Sequence, residues 1–419
     1  MSTTPPVPRS APARPVLAQR HVARLLIGTL VGRLPTGMVP VALILLASGQ
    51  GGSLTVGGLL CALYGLASAL GQPLLGRLVD RRGQTLVTTL AVLTTTACLL
   101  LLPLLGFTAH PAYTAGLVVL AGLSTPPLEA GLRALWPVVL PDPVQQRAAL
   151  ALDTGSQGSI FVAGPPLAAA LCATAGPTVT LVVSAGLGLL GAALVVTARP
   201  SRQWRPAPDA GTNGMLGPLR HRGLRSLFLA LAGTGFALGA LNVWAVSRAS
   251  AYDLNMLTGV IPAALSVGSL LGGALYGRRT WPGSLAAQLT CAATAFAVAW
   301  LPLGLADGPL PAMLLPVLPG LFLTATITSA FLLVDALAPA GTLTEACAWL
   351  IAAVGVGQAA GTAVAGAAAD QPFYAATLPA AGALATVSVL LIAHRSLAVP
   401  GWAPRRGRHR RVTPRTACL

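Results

Sequence analysis

The chain contains no lysine: all 26 of the basic residues among its 419 are arginines. This absence excludes a phosphate-binding lysine of the Walker A type and a lysine that could form a Schiff base, so ATP hydrolysis by that motif and retinal binding are excluded for this chain. Acidic residues number only 10, and charged residues make up 9% of the sequence. The net charge is +16. The placement of the arginines in particular loops, described below, explains this excess, and we expect no nucleic-acid partner.

Cysteine and histidine are present, but in no pattern that holds a metal. The six cysteines lie in apolar runs or in the C-terminal tail without a Cys-x-x-Cys spacing, and the five histidines form no ligand set. We interpret the cysteines as small buried apolar residues rather than disulfide partners. The sequence also shows no Ser/His/Asp arrangement and no phosphate-binding loop. It therefore predicts neither an enzyme nor a bound cofactor or metal.

Apolar sequence, in contrast, is abundant: 54% of the residues are hydrophobic and the mean hydropathy is +0.75. A bilayer core of about 30 Å is crossed by about 20 helical residues, and in lipid only a helix or a closed barrel satisfies its own backbone. The apolar runs are continuous rather than alternating in polarity, which favours helices. They predict an all-α polytopic membrane protein with twelve spans, at 24–47, 55–75, 85–106, 113–136, 149–173, 177–198, 225–248, 254–276, 284–305, 311–337, 345–369 and 374–394.

The arginines divide the loops between these spans into two classes. Nearly all of them lie in the two tails, in the loops after spans 2, 4 and 8, and in the segment between spans 6 and 7, whereas the remaining loops contain only Arg248. By the positive-inside rule the arginine-rich class is cytoplasmic. We therefore expect a multi-pass protein of the cell membrane with both termini in the cytoplasm.

These assignments divide the chain into five segments. Residues 1–23 form a cytoplasmic tail, 24–198 a six-helix half, 199–224 a flexible linker, 225–394 a second six-helix half and 395–419 a basic tail. The halves share a repeat, because GRLVDRRG from Gly76 and GALYGRRT from Gly273 are offset by 197 residues and each follows the second span of its half. Such a repeat implies two halves related by an axis along the membrane normal.

The stretch GRLVDRRGQ, Gly76 to Gln84, resembles the signature G-x-L-x-D-R-x-G-R between spans 2 and 3 of the major facilitator superfamily. Only the last basic position departs, as Gln84, which weakens one ionic contact. The resemblance implies a transporter with two pseudo-symmetric six-helix halves. It also implies a conformational latch formed by Gly76, Asp80, Arg81 and Gly83. The scarcity of lysine and asparagine is typical of GC-rich coding, as in actinobacteria.

The residue chemistry of the stretch agrees with a latch. We expect Gly76 to let the end of span 2 approach its neighbour closely. Asp80 should accept hydrogen bonds from the N-terminal amides of span 11, a favourable site for an anion, and the arginines beside it would hold the halves together while the carrier faces outward. The alternative is that these charges only anchor the topology, although topology needs no acid at Asp80.

A weaker resemblance lies in span 5. Its stretch GSIFVAGPPLAAAL is similar to the Gly-Pro kink of the superfamily's proton-coupled antiporters, with Gly164 and Pro165 present and Ala168 and Ala169 in place of the following glycine pair. We expect a bend here, because proline removes a backbone hydrogen bond and clashes with the preceding turn. The resemblance favours antiport over uptake; the alternative is a kink without directional meaning.

Charged and polar side chains inside apolar runs are functional candidates, since a charge at membrane depth is costly. The superfamily resemblance places spans 1, 4, 7 and 10 around a cavity, with spans 2, 5, 8 and 11 beside them. By this placement, five residues are candidates for contact with the substrate or the proton: Arg33, Glu129, Asn242, Trp244 and Gln358. Four residues near the cytoplasmic ends of spans are expected to be gate pairs or helix caps: Arg133, Asp153, Asp335 and Glu345.

Arg33 and Glu129 lie at similar depths, roughly 13 and 10 Å from the cytoplasmic ends of spans 1 and 4 at 1.5 Å per residue. We therefore predict that they form a charge pair in at least one state, and that Glu129 carries the transported proton. One alternative is a permanent pair that only neutralises Arg33. The other is a bond from Glu129 to Arg133, one turn further along its own helix.

The sequence as a whole predicts a secondary transporter that exports a small organic molecule, such as a drug or a secondary metabolite, in exchange for protons. An uptake permease for a sugar, nucleoside or organic acid is the first alternative. A non-transporting receptor or scaffold is the second, but a receptor usually adds a soluble sensor domain and no loop here is long enough for one. The expected partners are the substrate, protons and the lipid bilayer, and the expected state is a monomer.

Overall fold

A computed structural model describes residues 16–51, 54–104, 111–205, 217–254, 256–278, 281–305, 307–368 and 372–398. All regular secondary structure in these residues is helical. Eleven helices of the described part are long and apolar enough to cross a membrane, and Pro372–Ile392 adds a shorter apolar stretch, Thr377–Ile392. Helices therefore occupy the positions of all twelve predicted spans.

We keep the names span 1 to span 12 for these helices. Large apolar side chains cover the outer surface of the bundle, and Leu59 and Leu66 of span 2, for example, are both 60% exposed. A surface of this kind is expected where helices face lipid. The spans run over Val22–Gly49, Leu54–Arg82, Gln84–Leu101, Pro111–Val139, Pro143–Ala175, Pro177–Val196, Arg222–Ala251, Leu257–Gly277, Leu285–Ala299, Pro309–Leu337, Leu343–Ala367 and Pro372–Ile392.

The predicted end of span 2 at residue 75 is wrong. The helix continues to Arg82, and only Gly83 separates it from span 3, which begins at Gln84. The stretch GRLVDRR is therefore the last part of a helix and not a loop. Hydropathy places the end too early because the charged residues that terminate the apolar run still have helical backbone.

Spans 4, 5 and 10 are each interrupted, and span 10 consists of Pro309–Leu314 and Val317–Leu337. Span 4 consists of the helices Pro111–Leu123 and Leu128–Val139, separated by the sequence Ser-Thr-Pro-Pro at 124–127. The two prolines explain this break, because neither can donate a backbone hydrogen bond to the preceding turn. Span 5 is likewise two helices, Pro143–Ser156 and Gly158–Ala175, which meet at Gln157.

The segment between the halves contains two short helices, Arg199–Gln203 and Gly217–Arg220, and residues 206–216 between them lie outside the described residues. Most of both predicted tails, 1–15 and 399–419, also lies outside them, as does Arg279. We call the end of the bundle at which this segment lies the linker end, and the other the opposite end.

The three largest apolar cores show how the halves are joined. One core lies at the linker end and includes residues of both halves, among them Leu135 of span 4 and Val334 of span 10. At the opposite end each half has a core of its own, around Leu43 in the first half and around Phe296 in the second. The halves are therefore packed together at the linker end, and the space between them lies towards the opposite end.

Candidate functional site

The first contact that closes the linker end joins span 2 to span 11. Asp80 is 3% exposed. Its Oδ1 accepts a hydrogen bond from the backbone N–H of Thr344 at 3.1 Å, and its Oδ2 accepts one from that of Glu345 at 2.8 Å. Span 11 begins at Leu343, so these are amides of its first turn, which have no partner within the helix. The buried carboxylate is thus bound by the positive end of a helix from the other half.

Two glycines of the repeat make this contact possible. A Cβ at Gly76 would lie 3.0 Å from both the Ala348 Cβ and the Thr344 carbonyl oxygen, so glycine allows spans 2 and 11 to approach each other closely here. Gly83 has φ +96°, a conformation that favours glycine and that turns the chain directly from span 2 into span 3. Arg77 and Arg81 lie within electrostatic reach of the Glu345 carboxylate. Gln84 is buried and its side-chain amide lies against Gly131.

A second contact closes the linker end at the equivalent place in the other half. Here the end of span 8 packs against the first helix of span 5, and a Cβ at Gly273 would lie 2.6 Å from the Ala151 carbonyl oxygen. Arg147 reaches across from the first half. Its Nη1 donates to Gln288 Oε1 at 2.8 Å and to the Tyr276 hydroxyl at 3.3 Å, and the guanidinium carbon lies 5.5 Å from the centre of the Tyr276 ring.

A cavity of about 480 Å³ lies between the halves. Its volume is within the usual range for small-molecule sites. The lining comes from spans 1, 2, 4, 5, 7, 8, 10 and 11. Most of the lining is apolar, and the polar side chains include Arg33, Tyr64, Gln72, Asn242 and Gln358.

Four charged side chains form a row that runs from this cavity into the protein, which we call the ion ladder. Arg33 Nη2 lies 2.5 Å from Glu129 Oε2, and the other carboxylate oxygen of Glu129 lies 2.5 Å from Arg133 Nη1. Arg133 Nε in turn donates to Asp153 Oδ2 at 2.9 Å. The ladder therefore alternates cation, anion, cation and anion, and it is neutral when all four groups are ionised.

The break in span 4 positions the ladder. Glu129 lies in the first turn of the helix Leu128–Val139, directly after the two prolines, where the helix dipole favours an acid. Arg133 follows one turn later, so both side chains project from the same face. The Arg133 guanidinium also lies 3.6 Å from the centre of the Phe331 ring in span 10. This stacking adds a third contact between the halves, in the wall of the cavity, which both residues line.

The structure brings together most of the predicted cavity residues. Arg33, Glu129, Asn242 and Gln358 all line the cavity. The sequence prediction for Trp244 is wrong, because this residue is 1% exposed and belongs to the apolar core of the second half. Its ring faces the Arg248 guanidinium at 5.4 Å. An amphipathic side chain in an apolar span is compatible with either role, and only the rotational position of span 7 decides between them.

The four predicted gate residues separate into two groups. Arg133 and Asp153 form an ion pair with each other within the ion ladder, as expected of a gate pair, and Arg133 also lines the cavity; their role as a gate stays a prediction. Glu345 lies at the linker end, where its amide binds Asp80. Asp335 borders a small cavity that Arg133 and Gln146 also line, and it makes no ion pair within the described residues.

Four residues of the site were not among the candidates predicted from the sequence. Tyr64 is buried and its hydroxyl lies 3.4 Å from Thr125 Oγ1, in the break of span 4. Gln72 donates to the carbonyl oxygen of the same Thr125 at 3.2 Å. Phe331 underlies Arg133, and Arg147 was interpreted only as a topology signal. The pair Pro126-Pro127 was the available signal, because two consecutive prolines in an apolar run predict an interrupted helix.

The chain from residue 25 to residue 362 matches the model of the family described as the Major Facilitator Superfamily. This chain belongs to the Major Facilitator Superfamily. No curated protein matches its sequence. As a superfamily member with helices that can cross a membrane, it is a multi-pass membrane transporter and not an enzyme.

Solved superfamily structures share the fold at low sequence identity. The human organic anion transporter MFSD10 (TETRAN) is 18% identical with a TM-score of 0.64, covering 90% of this chain and 99% of that one. A bacterial homologue of the iron transporter ferroportin, in an outward-facing state, is 15% identical at 0.64, covering 90% and 100%. The E. coli fucose:proton symporter FucP is 16% identical at 0.64, covering 88% and 98%. The carriers in this group act on different substrates.

Proposed function

We propose that this superfamily member is a proton-coupled carrier that exports a small organic molecule by alternating access. The supporting observation is a cavity that lies between the halves, is closed towards the linker end, and has a buried ion ladder in its wall. In alternating access a bundle of this kind rocks around a central site. A group whose ion pairing differs between the two orientations would bind a proton in one and release it in the other.

The orientation in the membrane is part of this proposal. With the arginine-rich linker end in the cytoplasm, the cavity faces outward, and both termini are cytoplasmic. Reporter fusions after residue 205 and at the C-terminus test the orientation, since both should give cytoplasmic signals. A signal from the outer side at either position would overturn both the orientation and the interpretation of the structure as outward-facing.

The lining of the cavity supports an amphipathic substrate. Leu241, Leu265, Ile327 and Ile351 are among its apolar residues, and the charges of the ladder balance one another. We therefore propose a drug-like compound or a secondary metabolite with a large apolar part. Asn242 and Gln358 of the second half would supply neutral hydrogen-bonding groups opposite the ladder.

The contact between spans 1 and 5 supports antiport. A Cβ at Gly164 would lie 3.0 Å from the Cα of Gly37, so the two helices touch at backbone distance directly before Pro165 and Pro166. A close helix–helix contact at the Gly-Pro stretch agrees with the antiporter resemblance. Direction then follows from exchange: protons entering down their gradient drive the substrate out.

Acridine orange in everted membrane vesicles tests this function without knowledge of the substrate. Respiration acidifies the vesicles and quenches the dye, and a substrate exchanged for protons restores the fluorescence. Ethidium, erythromycin and salicylate serve as a lipophilic cation, a bulky weak base and an organic anion. We expect recovery with at least one of them for the wild-type chain, and none for Glu129→Gln, which leaves the two guanidiniums with a single carboxylate.

The control is Asp142→Asn, an acid-to-amide change at an exposed helix start. It should recover like the wild type. No recovery with any compound, together with proton-driven accumulation of a labelled sugar, nucleoside or organic acid in intact cells, would favour the uptake alternative. Absence of flux in both directions would favour the receptor or scaffold.

A further inference from the structure

The two acids of the ion ladder differ in their number of partners. Glu129 pairs with a guanidinium through each of its oxygens, Arg33 on one side and Arg133 on the other. Asp153 pairs with Arg133 alone, through Oδ2, and its Oδ1 is buried without a hydrogen-bond partner. Glu129 is therefore an inner member of the row and Asp153 a terminal one.

This difference decides which of the two acids can be protonated at the lower cost in free energy. Neutralising Glu129 would leave Arg33 without an ion-pair partner, because Glu129 is its only one within the described residues. Neutralising Asp153 leaves no cation unpaired, since Arg133 keeps Glu129 and the row becomes cation, anion, cation. A largely buried cation without a partner is unfavourable, so the protonated ladder is more stable with the proton on Asp153.

Burial acts in the same direction. The exposed fraction of the side chain falls along the row, from 15% for Arg33 and 8% for Glu129 to 2% for Arg133 and 1% for Asp153. A carboxylate with one unbonded oxygen at the most buried position loses the most hydration. The same group gains the most when a proton removes its charge.

No other charge near Asp153 offsets this preference. The first helix of span 5 packs mainly against spans 4, 8 and 10, with smaller contacts to span 1 and to the short helix Val16–Ala18, which carries no charged residue. Span 4 contributes Glu129 and Arg133, span 8 contains no Asp, Glu, Lys or Arg, and span 10 contains only Asp335, near the linker end. Arg33 of span 1 acts on Asp153 from the far end of the row.

We infer that Asp153, and not Glu129, is the residue that takes up the proton in this outward-facing arrangement. Glu129 is then a positioning residue that stays ionised and holds both guanidiniums. One proton from the outer side binds Asp153 and leaves the ladder with a net charge of +1. The inference concerns where the proton binds, and it rests on the proposed function for the claim that this proton is transported.

Infrared difference spectroscopy on the purified carrier in lipid nanodiscs tests the assignment. Between alkaline and acidic pH, a newly protonated carboxyl group gives a carbonyl stretching band. We expect this band to shift when the wild-type protein carries ¹³C-labelled aspartate but not ¹³C-labelled glutamate. It should disappear in Asp153→Asn and persist in the control Asp142→Asn, which alters an exposed aspartate at the start of the same span.

Two further variants keep the test decisive if Asp153→Asn does not fold. Asp153→Glu should move the band from the aspartate-labelled to the glutamate-labelled protein. Glu129→Gln removes the anion that keeps Arg133 paired when Asp153 is neutral, so in this variant the aspartate band should appear only at lower pH. A band that follows the glutamate label in the wild type would overturn the inference. So would the absence of any carboxyl band.

Failure of the proposed function gives a different result. If wild-type vesicles show no proton exchange with ethidium, erythromycin or salicylate while the aspartate band is present, the coupling proposal fails and the proton site stands. If exchange is observed and the band belongs to another residue, only the assignment to Asp153 fails.

Discussion

The ends of spans 2 and 8 carry matching stretches of the repeat, yet they close the linker end by different chemistry. At the end of span 2, the acid Asp80 binds backbone amides of span 11. At the end of span 8, Gly277 replaces the acid, and Arg147 crosses between the halves to Gln288 and Tyr276. The charged bridging group is thus an anion in one contact and a cation in the other, and both come from the first half.

The difference is explained by which part of the neighbouring helix each repeat position contacts. Asp80 meets Thr344 and Glu345, directly after span 11 begins at Leu343, where backbone amides are free. A Cβ at Gly277 would meet Ala148, 3.0 Å from its Cα. Ala148 lies inside the helix Pro143–Ser156, where the amides already have partners. An acid at this place would be buried without donors, so the same repeat position requires a small residue.

The largest effect is expected from Asp80→Asn. The variant keeps one acceptor but loses the charge, and a hydrogen bond to a charged group contributes ~1–3 kcal/mol, which changes the ratio of the two orientations by roughly 5–150-fold. Cys61 lines the cavity, so a membrane-impermeant thiol reagent reports the outward-facing fraction once the other accessible cysteines are replaced. We expect slower labelling of Cys61 from outside and impaired transport, with normal insertion and abundance.

Asp142→Asn provides the matched acid-to-amide control, because this side chain lies at the exposed start of span 5, away from both contacts. Its labelling rate should equal that of the parent. Normal labelling and normal flux in Asp80→Asn would mean that Asp80 only marks the topology.

Substituting glycine by alanine tests how tightly the helices pack in the contact of span 2 with span 11 and in that of span 8 with span 5. Alanine at Gly273 places a Cβ 2.6 Å from a backbone oxygen, which cannot move aside easily, whereas alanine at Gly76 meets its neighbours at 3.0 Å. Overpacking costs about 1–3 kcal/mol, so we expect Gly273→Ala to slow Cys61 labelling more than Gly76→Ala.

Gly58→Ala is the control for these variants, since a Cβ at that position meets no atom within 4 Å. It should leave the labelling rate unchanged. Equal rates for the two contact variants would show that the halves adjust equally at both places and would remove the packing difference between them.

The smallest effect is expected from Arg147→Gln. Glutamine is shorter and uncharged, so the hydrogen bond to Gln288 and the ring contact with Tyr276 are both weakened. The bond has an ionised donor, but it is only part-buried and glutamine keeps a donor, so we expect a loss of about 0.5–1.5 kcal/mol, which changes the ratio of orientations by up to about tenfold. Labelling of Cys61 should slow, but less than in Asp80→Asn.

Arg248→Gln removes a guanidinium that also faces an aromatic ring, that of Trp244, at the opposite end. It should not slow Cys61 labelling, because its contact does not join the halves at the linker end. An effect of Arg147→Gln as large as that of Asp80→Asn would show that the two contacts contribute equally to closure.

The sequence predicted best the features that depend on a single property of the residues, such as their apolar character. Continuous apolar runs predicted the helical membrane fold, and the family match confirms the superfamily that GRLVDRRGQ resembles. Arg33 and Glu129 are in contact, but the sequence offered this pair and the Glu129–Arg133 pair as alternatives, whereas the structure contains both. Spacing along one chain could not show that a single carboxylate bridges two guanidiniums.

Composition and local pattern by themselves determined which segments enter the membrane, because a span must be mostly apolar along about 20 residues wherever it packs. Tertiary structure decided everything that depends on how one span is rotated against another. It turned Trp244 into the core, placed Arg133 on Phe331, and positioned Asp153 at the buried end of the ladder. These outcomes depend on packing between distant segments, and hydropathy along the chain contains no information about helix rotation.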